Sequence, residues 1–276
     1  MHIDAHQHYW DPARGDYGWL TPDLKSLYRT FGPQELAPLR ERADVQRTVV
    51  VQAAPTIEET RYLLDLARDE ASIAGVVGWV PMLLKDAPAL IAEFARDAKF
   101  KGIRPMLQDI ADDNWIANPE LAPAAEALIA HDLAFDALIF ARHVDALETF
   151  ATRFPALRIV VDHGAKPPIR DGQSGWQSWA DGITRLASLP QVHCKLSGLA
   201  TEAAAGWTGA TLQPYVDHLL QSFGKARLMW GSDWPVLNLN GDYLLWHSVA
   251  NTLLAGLSDA EREAVFGANA VAIYRL

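Results

Sequence analysis

Short runs dominated by Val, Ile, Leu and aromatic residues recur eight times along the chain. Most are separated by longer stretches whose apolar residues return every three to four positions. The predicted strands are His2 to His6, Arg47 to Gln52, Ala74 to Val80, Lys101 to Arg104, Ala134 to Ile139, Leu157 to His163, Gln191 to Ser197 and Arg227 to Asp233. Several do not alternate, as Thr48-Val49-Val50-Val51 and Arg158-Ile159-Val160-Val161 show. Strands apolar on both faces belong in a parallel sheet, where the returning helices cover the surface.

The intervening segments carry helix-start signals. Thr56-Ile57-Glu58-Glu59 and Ser258-Asp259-Ala260-Glu261 read as capping boxes, in which a hydroxyl and a carboxylate satisfy free amides at a helix N-terminus. Asn118-Pro119 offers a cap followed by proline at the first helical position. Behind the first box, Leu63, Leu64, Leu66 and Ala67 share one face, as in a helix lying on a sheet. The most irregular stretch, from Ala165 to Gly175, is short enough to be one loop, and no internal repeat or linker is evident. Eight unbroken βα units predict an α/β protein with a single (β/α)8 barrel over residues 1–276. An open doubly wound sheet is the rival, but no G-x-G-x-x-G follows the first strand.

Length agrees with that architecture, since 276 residues is close to the roughly 250 typical of such barrels. With 24 Lys and Arg against 34 Asp and Glu, the net charge of −10 disfavours nucleic acid and anionic membrane surfaces as partners. No apolar run reaches the roughly 18 residues of a membrane span. Met1-His2-Ile3-Asp4 lacks the basic-then-apolar pattern of a secretory leader, and a single cysteine, Cys194, cannot form an internal disulfide. A cytoplasmic location is therefore expected, with Cys194 a buried small hydrophobe.

Three motifs carry candidate chemistry. In Asp4-Ala5-His6-Gln7-His8, residues two apart in a strand project to one face, so His6 and His8 would point together, able to bind a metal or polarise a carbonyl. Asp162-His163, with Lys166-Pro167 downstream, sits where an apolar strand meets a loop. Gly231-Ser232-Asp233-Trp234-Pro235 places an acid at the end of the last strand. Each could also be purely structural: a frayed histidine pair, a histidine bonded to loop backbone, a helix-capping aspartate. In a closed barrel, however, His6, His8, His163 and Asp233 all arrive at the C-terminal rim, the face on which barrel enzymes carry their chemistry.

This ordered set resembles the amidohydrolase superfamily, and more narrowly its amidohydrolase-related branch of sugar-acid and pyrone lactonases. The likeness runs over nearly the whole chain and includes Lys101-Gly102-Ile103-Arg104 and Cys194-Lys195-Leu196-Ser197-Gly198-Leu199. The wider superfamily usually adds a histidine on the fifth strand and a lysine or glutamate on the fourth. Here the fifth reads Ala134-Phe135-Asp136-Ala137-Leu138-Ile139 and the fourth offers Arg104. The resemblance implies that His6, His8 and Asp233 would be the ligands if one zinc is bound, with His163 as a fourth. It does not imply that turnover depends on the metal.

The implied reaction is hydrolysis of a sugar-acid lactone, such as L-fucono-1,5-lactone or a related aldonolactone, by water that Asp233 activates. Asp233 would then return the proton to the ring oxygen, while His6, His8 and His163 stabilise charge on the carbonyl. Trp10, Trp19 and Trp234 are the aromatic candidates for covering a sugar ring. Most of the ten tryptophans are expected to serve packing. Arg104, Lys166, Lys195 and Arg14 are candidates for holding carboxylates, which would favour a pyrone dicarboxylate lactone instead. The composition also fits a zinc-dependent decarboxylase of the same superfamily and a non-catalytic binding barrel. The expected partner is a small carbohydrate lactone, and a homo-oligomer is compatible with the sequence.

Overall fold

The computed structural model describes residues 1–276. Its eight strands are β1 (His2–Gln7), β2 (Val45–Val51), β3 (Ile73–Gly78), β4 (Phe100–Ile103), β5 (Ala134–Ala137), β6 (Arg158–Val161), β7 (Val192–Leu196) and β8 (Leu228–Trp230). They form one parallel sheet in sequence order. The ring closes just beyond β8, where Asp233 N donates to His6 O at 2.8 Å and His8 N donates to Trp234 O at 2.7 Å. The predicted barrel is the observed fold.

The helices are α1 (Pro33–Arg42), α2 (Ile57–Asp69), α3 (Ala87–Phe94), α4 (Ala122–Ala130), α5 (Val144–Arg153), α6 (Trp176–Ala187), α7 (Leu199–Glu202), α8 (Gly209–Phe223), α9 (Tyr243–Leu253), α10 (Asp259–Glu263) and α11 (Asn269–Tyr274). The Ser258 box forms as predicted, with Ser258 N donating to Glu261 at 2.9 Å. The Thr56 box is only half present. Thr56 accepts from Glu59 N, but the Glu59 carboxylate turns inward and accepts from Ala53 N and Ala54 N, fastening the loop after β2 to α2. Asn118 caps a short 3₁₀ turn that leads into α4. On α2, Leu63, Leu64 and Ala67 are buried as predicted, whereas Leu66 is half-buried.

The barrel has two interiors along its axis. Inside the ring, Ile3, Ala5, Val49, Val51, Val77, Ala134, Val160 and Met229 pack together, closed off by Ala270, Ile273 and Tyr274 of α11. Towards the C-terminal ends the inward positions become polar. A larger apolar cluster joins the sheet to its helices and contains Cys194, which is fully buried as expected. No helix is long and apolar enough to cross a membrane.

Candidate active site

The first strand is not a regular strand where it matters. Its register against β2 slips between Asp4 and Gln7. Ala5 faces the apolar interior, yet the next residue, His6, also reaches inward, to Lys195, Asp162 and His163. Asp4 and Gln7 go the other way: Asp4 accepts from Ser232 N at 2.8 Å, and Gln7 donates to Thr48 Oγ1 at 3.0 Å. The slip works as a bulge, re-aiming a side chain at the barrel mouth. His6 and His8 then meet with their Nε2 atoms 3.2 Å apart.

The sixth and eighth strands deliver the other two groups through turns. His163 (φ 54°), Ala165 (φ 58°) and Lys166 (φ 49°) all have left-handed backbones, as does Asp233 (φ 58°). Non-glycine residues held there mark backbone whose conformation is over-determined by its surroundings. The supports are visible: Trp179 Nε1 donates to Gly164 O at 2.7 Å, and Trp246 Nε1 donates to Gly231 O at 2.9 Å. His163 Nδ1 is bonded to Ser197 Oγ at 2.8 Å, and its Nε2 lies 3.8 Å from Asp233 Oδ1. Two glycines make room. A Cβ on Gly231 would stand 2.7 Å from His6 Cβ, and one on Gly198 (φ 66°) would stand 2.6 Å from His163 Nδ1.

Beneath the histidines lies a charged layer that the sequence motifs do not reveal. Lys195 is fully buried, with Nζ 2.5 Å from Asp136 Oδ2, 3.0 Å from Asp162 Oδ1 and 3.0 Å from His6 Nδ1. Tyr274 donates to Asp136 from α11, and Arg104 Nη1 stands 3.6 Å from Asp162 Oδ2. Lys195 and Asp162 compete for His6 Nδ1, Asp162 at 3.3 Å, and the winner decides which ring nitrogen carries the hydrogen. In the sequence, Asp136 stands out only as part of a fifth strand that lacks a histidine. The available signal for its role was a charge inside an otherwise apolar strand.

Above these groups opens a cleft of about 250 Å³ whose wall includes His8, His163, Asp233, Trp19, Arg104 and Lys166. Of the residues expected at the substrate, Trp19, Arg104 and Lys166 therefore face it. Four others do not, and those expectations are corrected. Lys195 is consumed by the buried ion cluster. Trp10 is fully buried, with its indole N–H given to Leu27 O and Arg29 O. Trp234 is buried and packs edge-on against Tyr9 and Phe31. Arg14 pairs with Asp16 at 2.7 Å and covers the Tyr62 ring, away from the cleft. Gln108, Asp109 and Met106, on the loop after β4, line the wall although no sequence motif marks them.

A family model described as Amidohydrolase matches residues 3–276. The chain belongs to the amidohydrolase family. It is 53% identical to an L-fucono-1,5-lactonase of Burkholderia ambifaria over 99% of this chain and 95% of the relative. It is 36% identical to an L-fucono-1,5-lactonase of Burkholderia multivorans, covering 100% and 96%. A crystal structure of an amidohydrolase from Burkholderia multivorans with bound Zn superposes with a TM-score of 0.95 at 36% identity, covering 100% of this chain and 99% of that one.

The amidohydrolase site fits a divalent cation on its own geometry. Val51 O, 2.8 Å from His8 Nδ1, takes that nitrogen's hydrogen, which leaves Nε2 as the ring's electron-pair donor towards a metal. That lone pair faces Asp233 Oδ1 at 3.3 Å and His6 Nε2 at 3.2 Å. Electron-pair donors converging so closely need a proton or a cation between them. Ligands about 2.0–2.1 Å from a tetrahedral zinc stand roughly 3.3 Å apart, the spacing of the two His8 contacts, and His6 Nε2 stands 3.8 Å from Asp233 Oδ1. His6, His8 and Asp233 form one such buried group, and His163 lies beside it.

Protonation states follow from burial and neighbours. Burial by itself would raise the Asp233 carboxyl, but the surrounding His163, His8 and His6 rings, which carry charge at the low pH where this carboxyl titrates, outweigh it and hold it well below the usual carboxylate range. Burial pulls the His163 imidazole down to about 4, outweighing the attraction of Asp233 and Asp162. Burial, then Lys195, keeps His6 well below its ordinary value. At neutral pH the amidohydrolase site thus offers an ionised Asp233 carboxylate beside the neutral imidazoles of His6 and His163.

Proposed function

We propose that residues 1–276, as one barrel domain, hydrolyse a sugar-acid lactone, in the first place L-fucono-1,5-lactone, to the free sugar acid. The observation that carries this reading is the convergence of His6, His8 and His163 on the ionised Asp233 carboxylate at the floor of a cleft large enough for one sugar ring. The two lactonase relatives support the choice of substrate. The net charge of −10 favours a small uncharged ligand over a polyanion, and the lone buried Cys194 suits a cytoplasmic location.

Asp233 accepts a proton from water as its oxygen attacks the lactone carbonyl. The ring C–O bond then breaks, and Asp233 returns that proton to the departing ring oxygen. His163, held by Ser197, donates a hydrogen bond to the carbonyl oxygen as negative charge collects there. Trp19, with its indole fixed to Ala53 O at 2.7 Å, offers an apolar wall to the C–H face of the ring. A divalent metal such as zinc would be held by His6, His8 and Asp233, with His163 as a fourth donor, and when bound would polarise the carbonyl as a Lewis acid.

The test is a panel of aldonolactones, including L-fucono-, L-rhamnono-, D-arabinono- and galactonolactones, followed by acid release with a pH indicator, before and after chelation. Hydrolysis of at least one lactone is expected, with turnover persisting in part after metal removal. If no lactone is hydrolysed while stoichiometric zinc is present, the reading is overturned in favour of decarboxylation.

A further inference from the structure

The proposed reaction turns an uncharged ring into a carboxylate, so the charges around the cleft decide how firmly the product stays. Two cations face the cleft, Arg104 and Lys166, and both are already engaged. Arg104 Nη2 donates to Gln52 O, and its Nη1 faces the buried Asp162. Lys166 Nζ donates to Gln108 Oε1 at 2.6 Å, lies 3.8 Å from Glu202 Oε1, and stands 5.3 Å from the centre of the Phe140 ring. The cleft wall itself carries the acids Asp109 and Asp233.

Glu202, the last residue of α7, is the group whose position needs a reason. Its side chain is one-quarter exposed. Burial and the like charge of Asp233 both act against its ionised form, and the opposing attraction comes first from Lys166 and then from Arg170. Its carboxylate makes an ion pair with Lys166 and with no other side chain. A solvated glutamate elsewhere on this short helix would avoid these costs but would leave the ammonium free to turn into the cleft.

We propose that Glu202 determines specificity: by drawing Lys166 away from carboxylate binding, together with Gln108, it leaves a cleft that takes uncharged polyhydroxylated rings and lets the acid go. This rests on the lactone reading. A flexible lysine stem swings within a few ångströms, so an unpaired Lys166 beside the ring would capture the new carboxylate or a dicarboxylate competitor. With Glu202 in place, an anion entering the cleft must displace an existing partner and meets Asp109 and Asp233 as well. The same arrangement disfavours pyrone dicarboxylates.

The experiment measures binding of L-fuconate by isothermal titration calorimetry at pH 8 and low salt, in the wild type, Glu202→Gln, Lys166→Met and the double variant. Glu202→Gln, which keeps shape and removes charge, is expected to tighten L-fuconate binding by roughly three- to five-fold, the upper scale of one screened ion pair. Added salt should erode the gain, and Lys166→Met should abolish it in the double variant. In the wild-type background Lys166→Met alone should change the affinity by less than about two-fold, because Lys166 is already withdrawn. Unchanged affinity in Glu202→Gln, tightening that survives Lys166→Met, or a large loss in Lys166→Met alone each overturns the proposal. Calorimetry needs no turnover: absent lactone hydrolysis defeats the functional reading, while the variants still decide the role of Glu202.

Discussion

Asp233 is asked to be both the base and the proton carrier, and its surroundings show how one carboxylate can be kept for that task. It is buried, ionised, and faced by imidazoles whose other ring nitrogens are held by Val51 O and Ser197 Oγ. Asp233→Asn removes the base while keeping the side-chain shape. It should lower kcat by about 10²–10⁴-fold, with an unchanged thermal melt by circular dichroism. Loss of less than tenfold would remove Asp233 from the proposed role. His163→Asn should lower kcat less, by roughly 10²-fold, because only the stabilising donor is lost. Asp233, His163, His6 and His8 could be picked from the sequence because each stands at a strand end. Lys195 was misplaced because strand position says where a residue emerges and nothing about which buried charges wait for it.

At the scale of elements, the site is built from departures from regularity: the slip in β1, the left-handed turn after β6 and the close contact of Gly231 with β1. Gly198 couples α7 to His163. Gly198→Ala puts a Cβ into the imidazole and onto a left-handed backbone, and should reduce kcat by about 10-fold or more through displacement of His163. The check is a steady-state assay beside a melt, with a stability loss of about 1–2 kcal/mol expected. The loop after β2 depends on Glu59 of α2, whose carboxyl is pushed up to about 8 by burial, against the pull of the Ala54 and Ala53 amides. A folded-state value above the ordinary 4.5 means the native protein keeps this proton while the unfolded chain loses it. The Glu59 contribution to stability is therefore full below about pH 4.5 and declines as pH rises towards 8. Urea midpoints should show wild type losing stability relative to Glu59→Gln across that window, and parallel curves would refute this. The capping pattern Thr56-x-x-Glu59 was legible, but the carboxylate's turn inward to Ala53 and Ala54 depended on where β2 ended.

In the whole molecule, the N-terminal end of the barrel is plugged by α11, and the plug reaches the charged layer under the site through Tyr274. Its hydroxyl donates to both oxygens of the buried Asp136. Tyr274→Phe deletes the donor and leaves Asp136 held by Lys195. It should cost about 1–3 kcal/mol, read as a lower urea midpoint. An unchanged midpoint would mean that Lys195 satisfies the carboxylate unaided. This contact joins residues 138 positions apart in the chain, and no periodicity encodes it.

The alternation of apolar runs and amphipathic stretches determined the eight strands, their parallel sense and the barrel, because burial on both faces leaves few other arrangements for such a pattern. Predicted and observed strands differ mainly at their ends: the sixth and eighth were extended to His163 and Asp233, yet the ladders stop at Val161 and Trp230. The reason is physical, since Asp162-His163 and Gly231-Ser232-Asp233 follow directly on the apolar runs, while the backbone leaves the ladder and turns left-handed at His163 and Asp233 to present them. Motif order placed His6, His8, His163 and Asp233 at one rim. Only the closed ring decided that their atoms meet, that Lys195 lies beneath them with Asp136 and Asp162, that Trp10 and Trp234 serve packing, and that Glu202 stands against Lys166. Those outcomes depend on distances between segments far apart in sequence, which the pattern of a single chain does not contain.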